Sequence, residues 1–141
     1  MKHLFDMELQ YSDTAIECMP AGMKEERIIG SGEGTVKGPK ITGTIWWSNY
    51  ETTVRQGLCK LQIPGIIKTE DGAEIQFEAR GMAMVPDKAR PTKWLASGVF
   101  YFQANDDKNG RYGWLNNTLA IYEGEFDMET AHAVYRAYTS D

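Results

Sequence analysis

Residues 66–82 of the chain read IIKTEDGAEIQFEARGM and contain a clear strand–turn–strand pattern. Glu70-Asp71-Gly72 is typical of the tight turn between two paired strands. From Ala73 to Met82 apolar and polar residues alternate, which places Ile75 and Phe77 on one face of the second strand. This stretch therefore predicts a β-hairpin whose second strand buries one face.

Further strands are predicted on both sides of this hairpin. His3–Tyr11 alternates in the same way, and Lys40–Ser48 is rich in Ile, Thr and Trp. Asn109-Gly110 marks a second hairpin turn, followed by a long β run from Arg111 to Phe126. The longest irregular stretch is Met84–Gly98. About nine strands with short connections predict an antiparallel barrel or sandwich.

Two interruptions of this pattern need interpretation. Pro64-Gly65 lies inside the predicted strand Gly57–Thr69, which predicts a bulge, an edge or a bend. Gly30-Ser31-Gly32-Glu33-Gly34 looks like a phosphate-binding loop, but a dinucleotide fingerprint must open a helix. Thr35-Val36 and Gly38-Pro39 follow instead, so we expect a kinked or bulged strand.

Composition narrows the class of protein. The chain has 141 residues, a net charge of −5 and an isoelectric point near 5.1. An acidic chain of this kind argues against a nucleic-acid partner, and no apolar run reaches the roughly 20 residues of a membrane span. Asp6 and Glu8 occur before any apolar h-region could form, which argues against a secretory signal. We therefore expect one cytoplasmic domain over residues 1–141 with no membrane partner.

The metal-ligating and nucleophilic side chains are few. His3 and His132 are the only histidines, and neither has a partner at metal-ligand spacing, so no metal and no cofactor are predicted. Cys18 and Cys59 have no base indicated nearby that would form a thiolate. We predict that both are buried, inert thiols.

Three segments together carry a resemblance to a known family: GPKITG at 38–43, KTEDGA at 68–73 followed by Ala79-Arg80-Gly81, and GRYGWLNNTL at 110–119. The chain resembles a family of small, mostly bacterial proteins known only as a domain of unknown function. The resemblance extends from Leu4 to Tyr138. It implies an all-β fold: a single closed antiparallel β-barrel of about eight to ten strands with little helix, similar to calycin, lipocalin and allene-oxide-cyclase barrels. It also implies a strand for Asp127–Tyr138, where residue propensities alone allow helix or strand.

The strand Ala73–Gly81 carries a candidate acid and cation. Glu78 and Arg80 share the face opposite Ile75 and Phe77. The outer wall of a soluble barrel meets water, and this favours Glu78 and Arg80 outside. The alternative places them inside the barrel as a pair that lines a pocket, because buried charges persist only when paired.

Several aromatic residues are candidates for the lining of a pocket in the barrel. Aromatic walls with a few polar groups are typical of small-molecule sites, although the same residues can be plain core. Asn116 would need hydrogen-bond partners if buried, and a ligand could supply them. The candidate ligand-binding residues are Trp46, Glu78, Arg80, Tyr101, Tyr112, Trp114, Asn116 and Tyr135.

These residues predict a barrel that binds a small apolar or aromatic molecule in its lumen, with or without turnover. Turnover would be cofactor-free isomerisation, cyclisation or lactone-type hydrolysis. Glu78 would then act as general acid–base, Arg80 would stabilise negative charge, and Tyr101 or Tyr112 would donate a proton. The alternative is a non-catalytic structural or interaction barrel with a filled core, working as a homo-oligomer.

Both faces of several predicted strands are apolar. Trp46 and Trp47 are neighbours and must point to opposite faces, and Phe100-Tyr101-Phe102 is apolar throughout. Antiparallel strands of this kind are covered on both sides. We therefore predict a homodimer or higher homo-oligomer with aromatic strands at the contact.

Overall fold

The computed structural model describes the backbone of residues 1–13, 19–21, 25–55, 57–104 and 110–140. It describes the side chains of residues 1–11, 30–48, 57–104 and 110–140. Cys18 and Asn109, on which two of the predictions fall, lie outside these ranges. Among the described residues, no helix is both long and apolar enough to cross a membrane.

The chain forms a closed antiparallel β-barrel. The strands are β1 (Lys2–Asp13), β2 (Met19–Ala21), β3 (Glu25–Lys37), β4 (Thr42–Arg55), β5 (Leu58–Thr69), β6 (Glu74–Met84), β7 (Lys93–Ala104), β8 (Leu119–Asp127) and β9 (His132–Thr139). From β3 to β9 each strand pairs with the next, and β1 pairs with both β9 and β3. The short β2 adds to β3, so the closed barrel itself has eight strands. The predicted fold class is confirmed.

The core lies inside the barrel and follows the predicted alternation. Ile75, Phe77 and Ala79 of β6 point inward and are buried, as predicted. In β1 the inward face begins at Phe5 and Met7, both almost fully buried. Alternation of this kind arises because successive strand side chains point to opposite faces of the sheet. Each strand therefore gives one row of side chains to the lumen and one to the outer wall.

The glycine-rich segment of β3 is the seam where the barrel closes. Gly32 and Gly34 lie against β1, and a Cβ atom at Gly34 would stand 2.0 Å from the Glu8 carbonyl oxygen. Only glycine permits such a close approach of two strands. The register with β4 is continuous, while the register of β1 shifts between Tyr11 and Asp13. The segment is a strand, as predicted, and the bulge lies in its partner β1.

The structure corrects two predicted boundaries. The long β run predicted from Arg111 is interrupted, because Gly113–Asn117 forms a 3₁₀ helix and β8 starts only at Leu119. The irregular stretch predicted over Met84–Gly98 is shorter, since β7 begins at Lys93. Of the C-terminal segment, for which the resemblance implied a strand over Asp127–Tyr138, residues from His132 onward form β9, while residues 128–131 form the turn before it.

Candidate functional site

The interior of the barrel contains a small, almost wholly apolar cavity. Its volume is about 30 Å³. The lining residues are Met7, Leu9, Tyr11, Ile45, Trp47, Leu61, Ile63, Phe77, Ala79, Phe100, Tyr122 and Tyr135. This is room for a few water molecules and far less than a small-molecule ligand occupies. The lumen is therefore largely filled by side chains around a small void.

Aromatic rings form much of the wall of this cavity. Tyr11 meets Trp47 edge-on at a centroid distance of 5.2 Å and Phe126 at 4.9 Å. Tyr122 lies 4.9 Å from Phe100. Ring contacts of these kinds are favourable because the edge of one ring meets the electron-rich face of another.

Trp47 combines deep burial with an unused polar atom. The residue is 4% exposed, and its indole Nε1–H has no acceptor in the described part of the chain. By contrast, the indole of Trp114 donates to the Arg111 carbonyl oxygen at 2.8 Å. A buried donor without an acceptor costs about 1–3 kcal/mol. Trp47 therefore carries an unsatisfied hydrogen-bond donor and is one of the residues that line the cavity.

The wall of the barrel is thin between β4 and β5. The two strands pair from Gly43 to Trp47 and again from Tyr50, but the intervening residues of β4 have no ladder partner in β5 over the described backbone. Pro64 lies at this break and has no N–H to donate. Next to it, Gly65 contributes no side chain. The predicted bulge, edge or bend at Pro64-Gly65 is thus an opening in the ladder within a continuous strand.

A groove of about 470 Å³ lies on the outer wall at this opening. Its outward-facing side chains include Trp46, Pro64 and Gln76. Trp47 and Phe77, which line the internal cavity, also contribute to the groove. The groove and the cavity are therefore separated by the side chains of Trp47 and Phe77.

Glu78 and Arg80 lie on the outer wall. Arg80 Nε donates to Glu78 Oε1 at 2.9 Å, and Gln62 Nε2 donates to the same oxygen at 3.3 Å. Their side chains are 36% and 58% exposed. The alternative that placed this pair inside the barrel is wrong, because the alternation of β6 turns Ile75 and Phe77 inward. A lumenal ligand is consequently out of reach of the predicted acid–base pair.

The other predicted pocket residues are dispersed. Trp46 and Tyr101 lie on the outer wall, 39% and 52% exposed, so their predicted place in the lumen is wrong. Trp114 lies partly exposed on the 3₁₀ helix, outside the lumen. Of the eight candidates, Tyr135 alone lines the cavity. Trp46 and Trp47 do point to opposite faces, as predicted.

Sequence reasoning missed Trp47, although a signal for it was present. At the start of β4 and just before it, the odd-numbered positions Ile41, Ile45 and Trp47 are apolar, while Thr42 and Thr44 share the parity of Trp46. That parity assigns Trp47 to the lumen and Trp46 to the outer wall. No such simple signal assigns Tyr11 and Tyr122 to the lining of one cavity, because they lie on separate strands that the barrel brings together.

Tyr112 belongs to a polar cluster that closes one end of the barrel. Its hydroxyl donates to Asp71 Oδ1 at 2.9 Å and Oδ2 at 3.0 Å, and Arg111 Nη1 donates to Oδ2 at 2.8 Å. The Thr69 hydroxyl also bonds to Asp71. Hydrogen bonds from Thr69 and Tyr112 lower the pKa of Asp71 to about 2. Burial, and then the bond to Asp71, raises the pKa of Tyr112 above its usual value.

Asn116 has a similar structural role. Its Oδ1 accepts from the Ala104 N–H at 2.7 Å, and its Nδ2 donates to the Ala104 carbonyl at 3.0 Å. The amide thus stands in for a strand partner at the end of β7. Two of the segments that carry the family resemblance, 68–73 and 110–119, therefore meet at this end of the barrel and hold it closed.

The described residues include no group of three or more His, Cys, Asp or Glu side chains that could hold a metal ion. Cys59 is buried in β5, as predicted. Its thiol lies outside the set of residues that line the cavity.

Comparison with solved structures supports the barrel. A β-barrel-like protein from Acinetobacter baumannii AYE is 18% identical, with a TM-score of 0.74 over 98% of this chain and 93% of that one. A protein of unknown function from Clostridium acetobutylicum ATCC 824 is 20% identical, with a TM-score of 0.79 over 99% and 98% of the two chains. A conserved protein of unknown function from Rhodopseudomonas palustris is 20% identical, with a TM-score of 0.80 over 98% and 95%. At these identities the likeness concerns the fold.

No curated protein matches the chain. A family model described as "Protein of unknown function (DUF3237)" matches residues 1–140, which is nearly the whole sequence. The resemblance noted from the segments at 38–43, 68–73 and 110–119 is thereby confirmed. The chain belongs to the DUF3237 family of β-barrel proteins.

Proposed function

We propose that this barrel binds a small, largely apolar or aromatic molecule in its lumen, and that the Trp47 indole N–H is the polar anchor. The observation that carries the proposal is a buried donor without an acceptor beside an apolar cavity. Small-molecule sites combine an apolar lining with a few polar groups that orient the ligand. The ligand class that fits is an aromatic compound with one carbonyl or similar acceptor.

Such a ligand needs more room than the cavity provides at rest. Ligand pockets usually measure about 300–1,000 Å³, against about 30 Å³ here. Four side chains are only partly buried against the core and can move to enlarge the cavity: Tyr11, Ile63, Trp94 and Phe126. Binding by this barrel therefore involves displacement of part of its aromatic wall.

We propose binding without turnover. The cavity is lined by apolar and aromatic residues, with neither a carboxylate nor a guanidinium among them. Glu78 and Arg80, the predicted acid–base and stabilising groups, lie on the outer wall. The hydroxyl of Tyr112, one predicted proton donor, is already engaged by Asp71.

The likeness to calycins, the cytoplasmic location and the absence of a nucleic-acid partner stay predictions from the sequence.

The experiment compares acetophenone with ethylbenzene, which have nearly the same shape but differ in the carbonyl acceptor. Binding is followed by NMR of the indole N–H signals of the four tryptophans, with the Trp47 signal assigned from Trp47→Phe. We expect acetophenone to bind roughly tenfold tighter, as one hydrogen bond allows. We also expect a marked shift of the Trp47 signal with acetophenone.

Equal affinities of the two probes, or a Trp47 signal that stays in place while binding occurs, would contradict the proposal. Trp47→Phe should bring acetophenone to the affinity of ethylbenzene. Native mass spectrometry before and after denaturation adds an independent test, since a retained ligand appears as extra mass that denaturation removes.

The second candidate function is a structural barrel that works as a homo-oligomer. The small size of the cavity favours a filled core, and the outer wall of β6–β9 exposes apolar side chains around a groove of about 630 Å³. These side chains are Met82, Met84, Leu95, Ile121 and Val134. Exposed apolar patches of this kind mark interaction sites. The predicted homodimer would form here, with Tyr101 at the margin of the contact.

Sedimentation velocity tests the homodimer. We expect the native protein to sediment as a dimer and Leu95→Lys to sediment as a monomer of 15.9 kDa. Lys37→Glu, on β3 across the barrel, is the matched control that should remain dimeric. A native protein that is monomeric at micromolar concentration would end this proposal.

A further inference from the structure

The break in the β4–β5 ladder lies where the groove and the cavity come closest. Ser48 of β4 faces Pro64 of β5 at the break, in continuation of the register that pairs Trp47 with Gly65. Because proline has no N–H, the ladder bond that would close this point cannot form. The two strands are therefore held together less tightly here than on either side.

The side chain behind the break is that of Phe77. A Cβ atom at Gly65 would stand 2.3 Å from Phe77 Cζ, so the ring occupies the space that a side chain at Gly65 would need. Phe77 is only 6% exposed, yet it lines both the external groove and the internal cavity. Movement of this one ring would join the two spaces.

The two ends of the barrel are covered by packed or hydrogen-bonded side chains. On the side of the turn between β8 and β9, Tyr11 packs between Trp47 and Phe126 at centroid distances of 5.2 Å and 4.9 Å. At the other end of the barrel, Leu115 is fully buried and Asp71 is bound to Tyr112 and Arg111. At the break in the β4–β5 ladder, by contrast, the Phe77 ring borders both the external groove and the cavity.

We infer that the groove beside Pro64 and Gly65 is the entrance to the lumenal site, with the Phe77 ring as its gate, and that it admits planar aromatic carbonyl compounds. The inference rests on the proposed function and adds a route to it. Trp46 lies at the rim and is exposed, with Lys68 Nζ 5.4 Å from its ring centroid, so a compound that stacks on this ring would compete with that cation–π contact. The Trp47 N–H beyond the gate then donates a hydrogen bond to the carbonyl oxygen.

The test cross-links β4 and β5 at the proposed entrance with a disulfide. The double variant Ser48→Cys/Pro64→Cys is studied in its oxidised and reduced forms beside the native protein, because Pro64→Cys by itself also restores a backbone N–H. Peptide mapping verifies that the introduced thiols pair with each other and not with Cys18 or Cys59. Acetophenone is the probe, and its association and dissociation rates are measured by NMR exchange on the Trp47 signal.

We expect the disulfide to slow association and dissociation together by roughly tenfold or more, because gate opening limits both steps. The equilibrium affinity should be unchanged within about twofold, since the site itself is not altered. A disulfide between β3 and β4, in Thr35→Cys/Thr44→Cys, is the matched control and should leave both rates unchanged. Pro64→Val restores a backbone N–H and should slow both rates without any cross-link.

The outcomes separate the two proposals. Equal rates in the oxidised and reduced forms, together with unchanged rates in Pro64→Val, would overturn the entrance while lumenal binding stands. An equal slowing by the β3–β4 disulfide would also overturn it, because general stiffening would then explain the effect. Failure of acetophenone to bind the native protein at all would overturn both the entrance and the proposed function.

Discussion

Leu115 tests whether the 3₁₀ helix Gly113–Asn117 is part of the barrel core. Its side chain is fully buried, although it lies in a segment that connects two strands. Leu115→Ala removes roughly three buried carbons at about 0.8 kcal/mol each. The cavity left behind adds to this, and buried Leu→Ala substitutions cost about 2.7–5.0 kcal/mol. We expect a loss of about 3 kcal/mol in the free energy of unfolding.

The assay is chemical and thermal denaturation beside a matched control. For a chain of 141 residues, the unfolding entropy is roughly 0.3 kcal/mol per kelvin, so a 3 kcal/mol loss lowers Tm by about 10 °C. Leu119→Ala, at a position 53% exposed, should change stability by less than about 0.5 kcal/mol. Similar effects of the two substitutions would refute the interpretation that the helix plugs the end of the barrel.

Three further predictions concern the cluster, the anchor and the seam. Asp71→Asn should destabilise the protein near pH 5, and this effect should disappear as pH falls towards 2. The reason is that the pKa of Asp71 in the folded protein, about 2, lies below the ordinary 3.8, so the stabilisation by the carboxylate is present above pH 3.8 and disappears on acidification. Denaturation of both proteins across this range is the measurement, and a stability difference that does not depend on pH would contradict the prediction. Trp47→Phe should keep the free energy of unfolding within about 1 kcal/mol of the native value. The variant loses packing contacts, but it also removes a buried donor without an acceptor, which costs about 1–3 kcal/mol. A loss of stability as large as that of Leu115→Ala would show that the Trp47 N–H has a hydrogen-bond partner. Gly34→Ala should lower the free energy of unfolding by about 3 kcal/mol or more, because the β1 backbone must move. Gly30→Ala should be tolerated, since its added Cβ would meet Tyr11 at an ordinary contact distance of 3.5 Å. Equal losses of stability in the two variants would contradict the close approach of β1 and β3 at Gly34.

The sequence predicts the barrel wall better than it predicts the site. Alternation in Ala73–Met82 identifies which side chains enter the lumen, because the two faces of a strand differ by a fixed period. The same rule applied to β4 separates Trp47 from Trp46. Local patterns of this kind need no knowledge of strand order.

The features that escaped prediction depend on contacts between distant segments. Residues 111–119 have the aromatic content of a strand, but the Asn116 amide bonds to Ala104 and Leu115 turns into the core, and these tertiary contacts override local propensity. The size of the cavity is likewise set by rings from separate strands, such as Tyr11 and Tyr122. Glu78 and Arg80 drew attention as a charged pair, yet an exposed pair of this kind has little energetic consequence.

The pairing of β1 with β9 has a consequence for biosynthesis. Lys2 pairs with Thr139 and Gln10 with His132, so β1, which is synthesised well before β9, must wait for β9 before both its edges are bonded. Until then β1 and β8 each expose an open edge, which is the feature of nascent β-proteins most prone to aggregate. Closure of the ring is thus a late, non-local event that follows synthesis of β9. A stalled or slowly translated chain would therefore be exposed to misassembly for longer.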